Sequence, residues 1–262
     1  MHGLMMDTQL LIPMILRHAE LHHPNREIVS VTADNPLHRY TYADCAVRTR
    51  KLANALDNIG LQHGDRIATL AWNDYRHLEI YYGVGGAGYV CHTINPRLFP
   101  EQIVFIINHA EDKWVFTDPM FVPLLEKIAD QTPGIEGYVV LTNDENMPET
   151  TLKNAVAYES LIAEENDVYE WPKLDERSAV ALCYTSGTTG DPKGVVFPNT
   201  RFGLFGLLGT LLGYQPDERP YTGLSLSHGN AQAVTLGPSL YMGLRAVFSH
   251  EELAFRDNHV SG

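Results

Sequence analysis

Between residues 41 and 141 short apolar runs alternate with segments of helical period, and no other feature of the chain restricts its fold as much. Thr41 and Asp44 predict a capping box, and Cys45, Thr49, Leu52, Leu56 and Ile59 follow on one helical face until Gly60. His63-Gly64-Asp65 turns the chain into Arg66–Trp72, read as a strand. A helix is predicted from Asp74 to about Gly83, with Gly85-Gly86 expected to end or break it, and a strand from Tyr89 to Ile94. Asn95-Pro96 is a turn, Glu101–His109 a helix, Trp114–Thr117 a strand, Phe121–Ala129 a helix and Tyr138–Leu141 a further strand. Upstream, Leu10–His23 reads as a helix with Pro13 in its first turn. Alternation of this kind predicts an α/β fold with mostly parallel sheets flanked by helices.

Length and composition narrow the function. The 262 residues suffice for one large domain or two small ones, and 44% hydrophobic with 19% charged residues is an ordinary globular balance. A net charge of −13 argues against nucleic acid or an anionic membrane as a partner of the global field. The same field repels a nucleotide, so a nucleotide site would have to bring its own positive charge. Cys45, Cys91 and Cys183 match no zinc, redox or disulfide spacing, and a reducing cytoplasm is the expected compartment. Asp7, Pro13, Arg17 and Glu20 interrupt any signal-peptide core near the start. The longest clean apolar run, Phe202–Gly213, has 12 residues where a membrane span needs about 20. It predicts a buried helix or a pocket wall. Residues 143–177 carry ten acidic against three basic residues and read as a solvated acidic connection with one helix near Val156–Glu164.

Ala179–Tyr184 is a buried strand in prospect, and directly after it stands Thr185-Ser-Gly-Thr-Thr-Gly-Asp-Pro-Lys-Gly194. Its glycines permit tight turns and close approach of backbone N–H groups to a ligand. Thr185, Ser186, Thr188 and Thr189 add hydroxyl donors, and Lys193 adds the positive charge that the acidic chain otherwise lacks. Such a loop is suited to polyphosphate. It is not a Walker loop, because Lys193 lies between Pro192 and Gly194, and a P-loop kinase is therefore disfavoured. The eight positions Ser186–Gly190 and Pro192–Gly194 would match a given pattern by chance roughly once in 10¹⁰ trials, which sets aside an incidental flexible turn.

Tyr184 to Gly194 resembles the signature loop of the AMP-forming acyl-CoA synthetases, within the adenylate-forming superfamily. Tyr40-Thr-Tyr42, Leu52-Ala-Asn-Ala-Leu56, Gly64-Asp-Arg66, Asn73 and Asn95-Pro-Arg-Leu98 are similar to segments of that family as well, so the resemblance runs from about residue 10 to about residue 249. His92–Lys113 looks like the fatty-acid branch. The resemblance implies an acid–CoA ligase: a carboxylate attacks the α-phosphorus of Mg·ATP, and coenzyme A then displaces AMP from the acyl-adenylate. By the same resemblance Thr185, Ser186, Gly187, Thr188, Thr189, Gly190 and Lys193 would bind the ATP phosphates, with Lys193 catalytic. His228, in Leu224-Ser-Leu-Ser-His-Gly-Asn230, would stand beside the acyl pocket. Cofactors and substrates implied are ATP, Mg²⁺, coenzyme A and a carboxylic acid. A medium- or long-chain fatty acid is the first expectation.

The resemblance stops short of the family's later segments. A Tyr-Gly-x-Thr-Glu segment, the ribose-binding Thr-Gly-Asp and the C-terminal lysine domain have no counterpart, so residues 1–262 read as a truncated N-terminal AMP-binding domain without the small C-terminal domain. Tyr221–Ser249 is similar instead to carnitine/crotonobetaine-type ligases, which leaves a ligase fragment of that type, or a mosaic product, as an alternative. A non-catalytic, phosphate-binding remnant is the other. An incomplete sheet would expose an edge, so an oligomer or a complementary C-terminal fragment is the expected partner.

Overall fold

The computed structural model describes residues 3–4, 7–32, 34, 37–185, 192–222, 225–227 and 229–249. Its larger sheet has seven strands. The strands are β3 (Arg66–Leu70), β4 (Val90–Thr93), β5 (Asp112–Thr117), β6 (Gly137–Val140), β7 (Ala155–Ala157), β8 (Ala179–Thr185) and β9 (Lys193–Pro198). They lie in the order β7-β6-β5-β3-β4-β8-β9, all neighbours parallel except the β8–β9 hairpin. Parallel strands need helical crossovers on both faces, so successive residues serve opposite layers. Ile67, Trp114, Phe116 and Val139 pack into one layer with Leu52, Leu56 and Leu78. Ala68, Leu70, Val115 and Val140 pack into the other with Ile103, Ile107, Leu125 and Ile128.

The first layer holds α1 (Ile12–His22), α2 (Tyr42–Asn58), α3 (Tyr75–Gly86) and α6 (Tyr158–Ala163), and the second holds α4 (Pro100–Ala110) and α5 (Val122–Ile128). A second sheet covers the first layer: β1 (Glu27–Ser30), β2 (His38–Thr41), β10 (Tyr221–Thr222) and β11 (Ala246–Phe248), ordered β10-β11-β1-β2. The predicted capping box of α2 is present, with Asp44 N donating to Thr41 Oγ1 at 3.2 Å and Thr41 N to Asp44 Oδ2 at 2.9 Å. Pro13 stands in the first turn of α1, as expected.

Helix α3 ends at Gly86, as the Gly85-Gly86 pair predicts, and the pair also serves packing, because α3 is the buried helix between the sheets and its neighbours demand small residues. A Cβ on Gly86 would stand 2.5 Å from the Trp171 ring and 2.8 Å from Pro13, and one on Gly85 3.2 Å from Val180 Cβ. Ala87 caps the helix, followed by Gly88 at φ +93°. The apolar run Phe202–Gly213 does lie in a helix, α7 (Asn199–Leu212), which packs on α8 (Gly237–Met242). That helix is buried on one side only: Phe205 is covered, whereas Leu211 is 80% exposed and Leu204, Leu207 and Leu212 are exposed beside it.

The acidic connection is mostly solvated, with one exception. Glu159, at the start of α6, accepts from Arg48 Nη1 at 2.9 Å, Arg76 Nε at 2.8 Å and the Tyr75 hydroxyl at 3.0 Å. Burial raises its pKa, but Arg48 and then Arg76 outweigh burial and hold the carboxyl below its ordinary value. Arg48 also donates to buried Glu79 at 2.8 Å, and Arg76 to Asp34 at 2.8 Å.

Candidate functional site

Strand β8 ends at Thr185 and β9 begins at Lys193, and these two residues are cross-strand partners. The hairpin therefore holds the two ends of the glycine-rich loop side by side, with Thr185 Oγ1 3.5 Å from the Lys193 carbonyl oxygen. Both side chains are exposed at the carboxyl end of β8. Ser186, Gly187, Thr188, Thr189 and Gly190 lie outside the described residues, as does His228.

Beside the hairpin is a cavity of about 290 Å³. It sits where the chain's path across the sheet reverses: α3 carries β3 to β4 over one face, and α4 carries β4 back past β3 to β5 over the other. Such reversal points open a crevice at the carboxyl ends of parallel strands. Thr93 ends β4 and faces the cavity, followed by Asn95, whose Oδ1 accepts from Arg97 N at 3.0 Å and shapes the predicted Asn-Pro turn. Gln102 enters from the first turn of α4, where its Oε1 accepts from Phe99 N at 3.1 Å. Thr185 and Pro192 form the hairpin side, and Ser227 and Gly229 the opposite wall. Hydroxyls and amides thus dominate the polar lining, and no described lining residue is a carboxylate.

The wall that carries Ser227 is pinned by residues that sequence reasoning did not assign to the site. Leu226 N donates to Asn73 Oδ1 at 2.6 Å, and Leu226 O accepts from the Tyr81 hydroxyl at 2.9 Å and from Gln232 Nε2 at 2.7 Å. All three partners are buried. Asn73, polar and directly after an apolar strand, was the available signal. Tyr81 and Gln232 gave none, because their meeting at Leu226 depends on how α3 packs.

The remaining candidates carry no chemistry of their own. Among the described residues no group of three His, Cys, Asp or Glu side chains could hold a metal ion. Cys45 and Cys91 are buried free thiols, and burial pushes Cys45 up to about 12, so neither is an available nucleophile. A larger cavity of about 390 Å³ lies between α1, α2 and residues 167–171, away from every predicted site residue, and its Arg50 is already paired with Glu20 at 3.0 Å.

A mostly parallel α/β scaffold, with a Gly/Thr-rich hairpin loop ending in lysine at its strand carboxyl ends, defines the N-terminal domain architecture of the adenylate-forming enzymes. The chain belongs to the AMP-binding enzyme family, whose sequence model matches residues 16–261. It is 48% identical over 197 residues to a medium-chain-fatty-acid–CoA ligase of Ectopseudomonas oleovorans, covering 75% of this chain and 36% of that protein. It is 47% identical over 197 residues to a 3-methylmercaptopropionyl-CoA ligase of Ruegeria lacuscaerulensis, with the same coverages. A long-chain-fatty-acid–CoA ligase of Thermus thermophilus is 42% identical over 208 residues, covering 79% of this chain and 37% of the relative. The chain therefore spans little more than a third of these relatives' length. Among solved structures, the anthranilate CoA ligase AuaEII in complex with anthranoyl-AMP shares the fold with a TM-score of 0.83 at 20% identity, over 93% of this chain and 45% of that one. The N-terminal domain of FACL13 from Mycobacterium tuberculosis matches with a TM-score of 0.79 at 22% identity, over 93% and 57%.

Proposed function

We propose that this chain is the N-terminal portion of an AMP-forming acid–CoA ligase, and that its loop at residues 185–194 grips the β- and γ-phosphates of ATP. The observation that carries the reading is the placement of Lys193 and Thr185 as paired hairpin ends, with Thr185 and Pro192 lining a cavity that no described carboxylate lines. In this reading Thr185, Ser186, Thr188 and Thr189 donate hydrogen bonds to phosphate oxygens, Gly187 and Gly190 permit the turn, and Lys193 supplies charge. The chemistry explains the need. A carboxylate oxygen attacks the α-phosphorus, the bond to the β-phosphate breaks, and pyrophosphate leaves with the charge that Lys193 and the donors neutralise. Coenzyme A thiol then takes the acyl group and releases AMP.

The acid is proposed to be a medium- or long-chain fatty acid, on the strength of the medium-chain relative at 48% identity and the long-chain relative at 42%. His228 is proposed to stand beside the acyl group, since its neighbours Ser227 and Gly229 line the cavity. Mg²⁺ does not fit the described residues, because the cavity offers it no carboxylate. No described helix is long and apolar enough to cross a membrane. A cytoplasmic location, and an oligomer or complementary C-terminal fragment as partner, belong to the proposal. The second reading, a phosphate-binding fragment without ligase activity, is supported by a described cavity lining that has no carboxylate.

The test is acid-dependent ATP–pyrophosphate exchange on the purified chain. Exchange driven by octanoate or palmitate is expected, with a loss of about 10²-fold in Lys193→Ala, the size typical of removing one donor to developing charge. Exchange driven by a carnitine-like acid alone would instead support the carnitine-type alternative. No exchange from a folded sample would leave the fragment reading.

A further inference from the structure

We propose that Tyr184 is a positioning residue that ties the base of the phosphate loop to helix α4 through His109. The proposal rests on the reading of residues 185–194 as a phosphate-gripping loop, and concerns what aims that loop.

Tyr184 is the last residue of β8 before Thr185, so any rotation of its backbone is passed directly into the loop. Its ring is held on three sides. Across the hairpin its partner is Gly194, and a Cβ there would meet Tyr184 Cζ at 3.4 Å, so the ring lies over the backbone that follows Lys193. Its hydroxyl lies 2.6 Å from His109 Nδ1, and the two rings meet edge to face at 5.7 Å. His109 stands in the last turn of α4, steadied by stacking on Phe105 at 5.4 Å. On the third side is His92 of β4, its ring centroid 5.2 Å from that of Tyr184.

His92 is itself locked. It is fully buried, and its Nδ1 lies 2.7 Å from Asp112 Oδ2 on β5. That contact holds the His92 ring beside Tyr184. Tyr184 also faces the 290 Å³ cavity. One side chain therefore joins the end of α4, the central strands, both strands of the hairpin and the cavity. Neither Thr185 nor Lys193 has comparable anchoring of its own, since both are exposed and their mutual contact is the 3.5 Å hydrogen bond already described. Pre-setting a binding loop before its ligand arrives lowers the ordering cost of binding.

The experiment compares the full chain with Tyr184→Phe, His109→Ala and His109→Asn, whose amide can occupy the place of Nδ1. Amide hydrogen exchange is followed without ligand, and titration with inorganic pyrophosphate by calorimetry. Tyr184→Phe and His109→Ala should each speed exchange of residues 183–195 by about threefold or more, with His109→Asn near wild type and the melting temperature nearly unchanged. Pyrophosphate affinity should fall about three- to tenfold in the same two variants, and the double variant Tyr184→Phe/His109→Ala should lose no more than either. Wild-type exchange in Tyr184→Phe, or faster exchange spread evenly over the sheet, overturns the proposal. A wild-type chain that binds no pyrophosphate defeats the phosphate reading alone, and the exchange data then decide the positioning role by themselves.

Discussion

His77 shows what burial does to a single titratable residue. It is 1% exposed in the first turn of α3, with Nδ1 3.0 Å from the Trp72 carbonyl and Nε2 3.1 Å from Thr69 Oγ1. A carbonyl only accepts, so Nδ1 carries the proton and Nε2 accepts from the threonine: the ring is neutral and fully used. Burial lowers its pKa to about 4, against which the Trp72 hydrogen bond is a minor gain. The unfolded chain binds this proton below about 6.5 and the folded chain does not, so stability is complete above that pH and is lost as pH falls toward 4. Urea unfolding at stepped pH should assign about 3 kcal/mol of loss over that window to His77, read as the difference between the wild type and His77→Gln. In His77→Gln the same acid limb should be markedly shallower. An unchanged acid limb in the variant would remove His77 as its cause.

Among the elements, α6 is the instructive one. It has six residues and no side-chain cap, too short to persist by itself, yet it closes one edge of the first helical layer. Its docking is electrostatic at one point, because Glu159 neutralises Arg48 and Arg76, which α2 and α3 present from the interior. Removing Glu159 leaves Arg48 to Glu79 and Arg76 to Asp34, with the donors that faced Glu159 unmatched. Glu159→Ala should cost roughly 2–3 kcal/mol, with the figure held down because Glu159 keeps 27% of its side chain in solvent. Glu159→Gln, which still accepts hydrogen bonds, should cost less. Equilibrium urea unfolding of the three proteins measures both. Equal losses for Ala and Gln would assign the effect to charge alone.

At the scale of the whole molecule, the notable property is an uncovered apolar face. Strand β9 is the sheet's edge, with Val196 59% exposed, and α7 adds Leu204, Leu207, Leu211 and Leu212. An open strand edge beside exposed leucines favours association. Sedimentation velocity should therefore show self-association that grows with concentration, and Val196→Lys with Leu211→Lys should suppress it without altering the circular dichroism. A monomer at every concentration would refute the expectation.

Sequence alone determined β3 to β6 and β8 of the larger sheet, the capping box of α2 and the loop that carries the family likeness, because each depends on neighbours within a few residues, whereas β7 and β9 were not read as strands. Period, turn chemistry and the Gly/Thr/Lys spacing are local, and they were legible one after another from Thr41 to Lys193. Only the tertiary structure decided the packing role of Gly85-Gly86, whose meaning lies in Val180, Trp171 and Pro13 rather than in α3. It likewise decided which of the ten acidic residues in 143–177 would turn inward, and which residues would pin Leu226 to the cavity wall. Glu159 meets Arg48, Arg76 and Tyr75 at separations of 111, 83 and 84 positions, and Leu226 meets Asn73 and Tyr81 at 153 and 145. Contacts at such separations arise from the order in which strands enter the sheet, and no local pattern records that order.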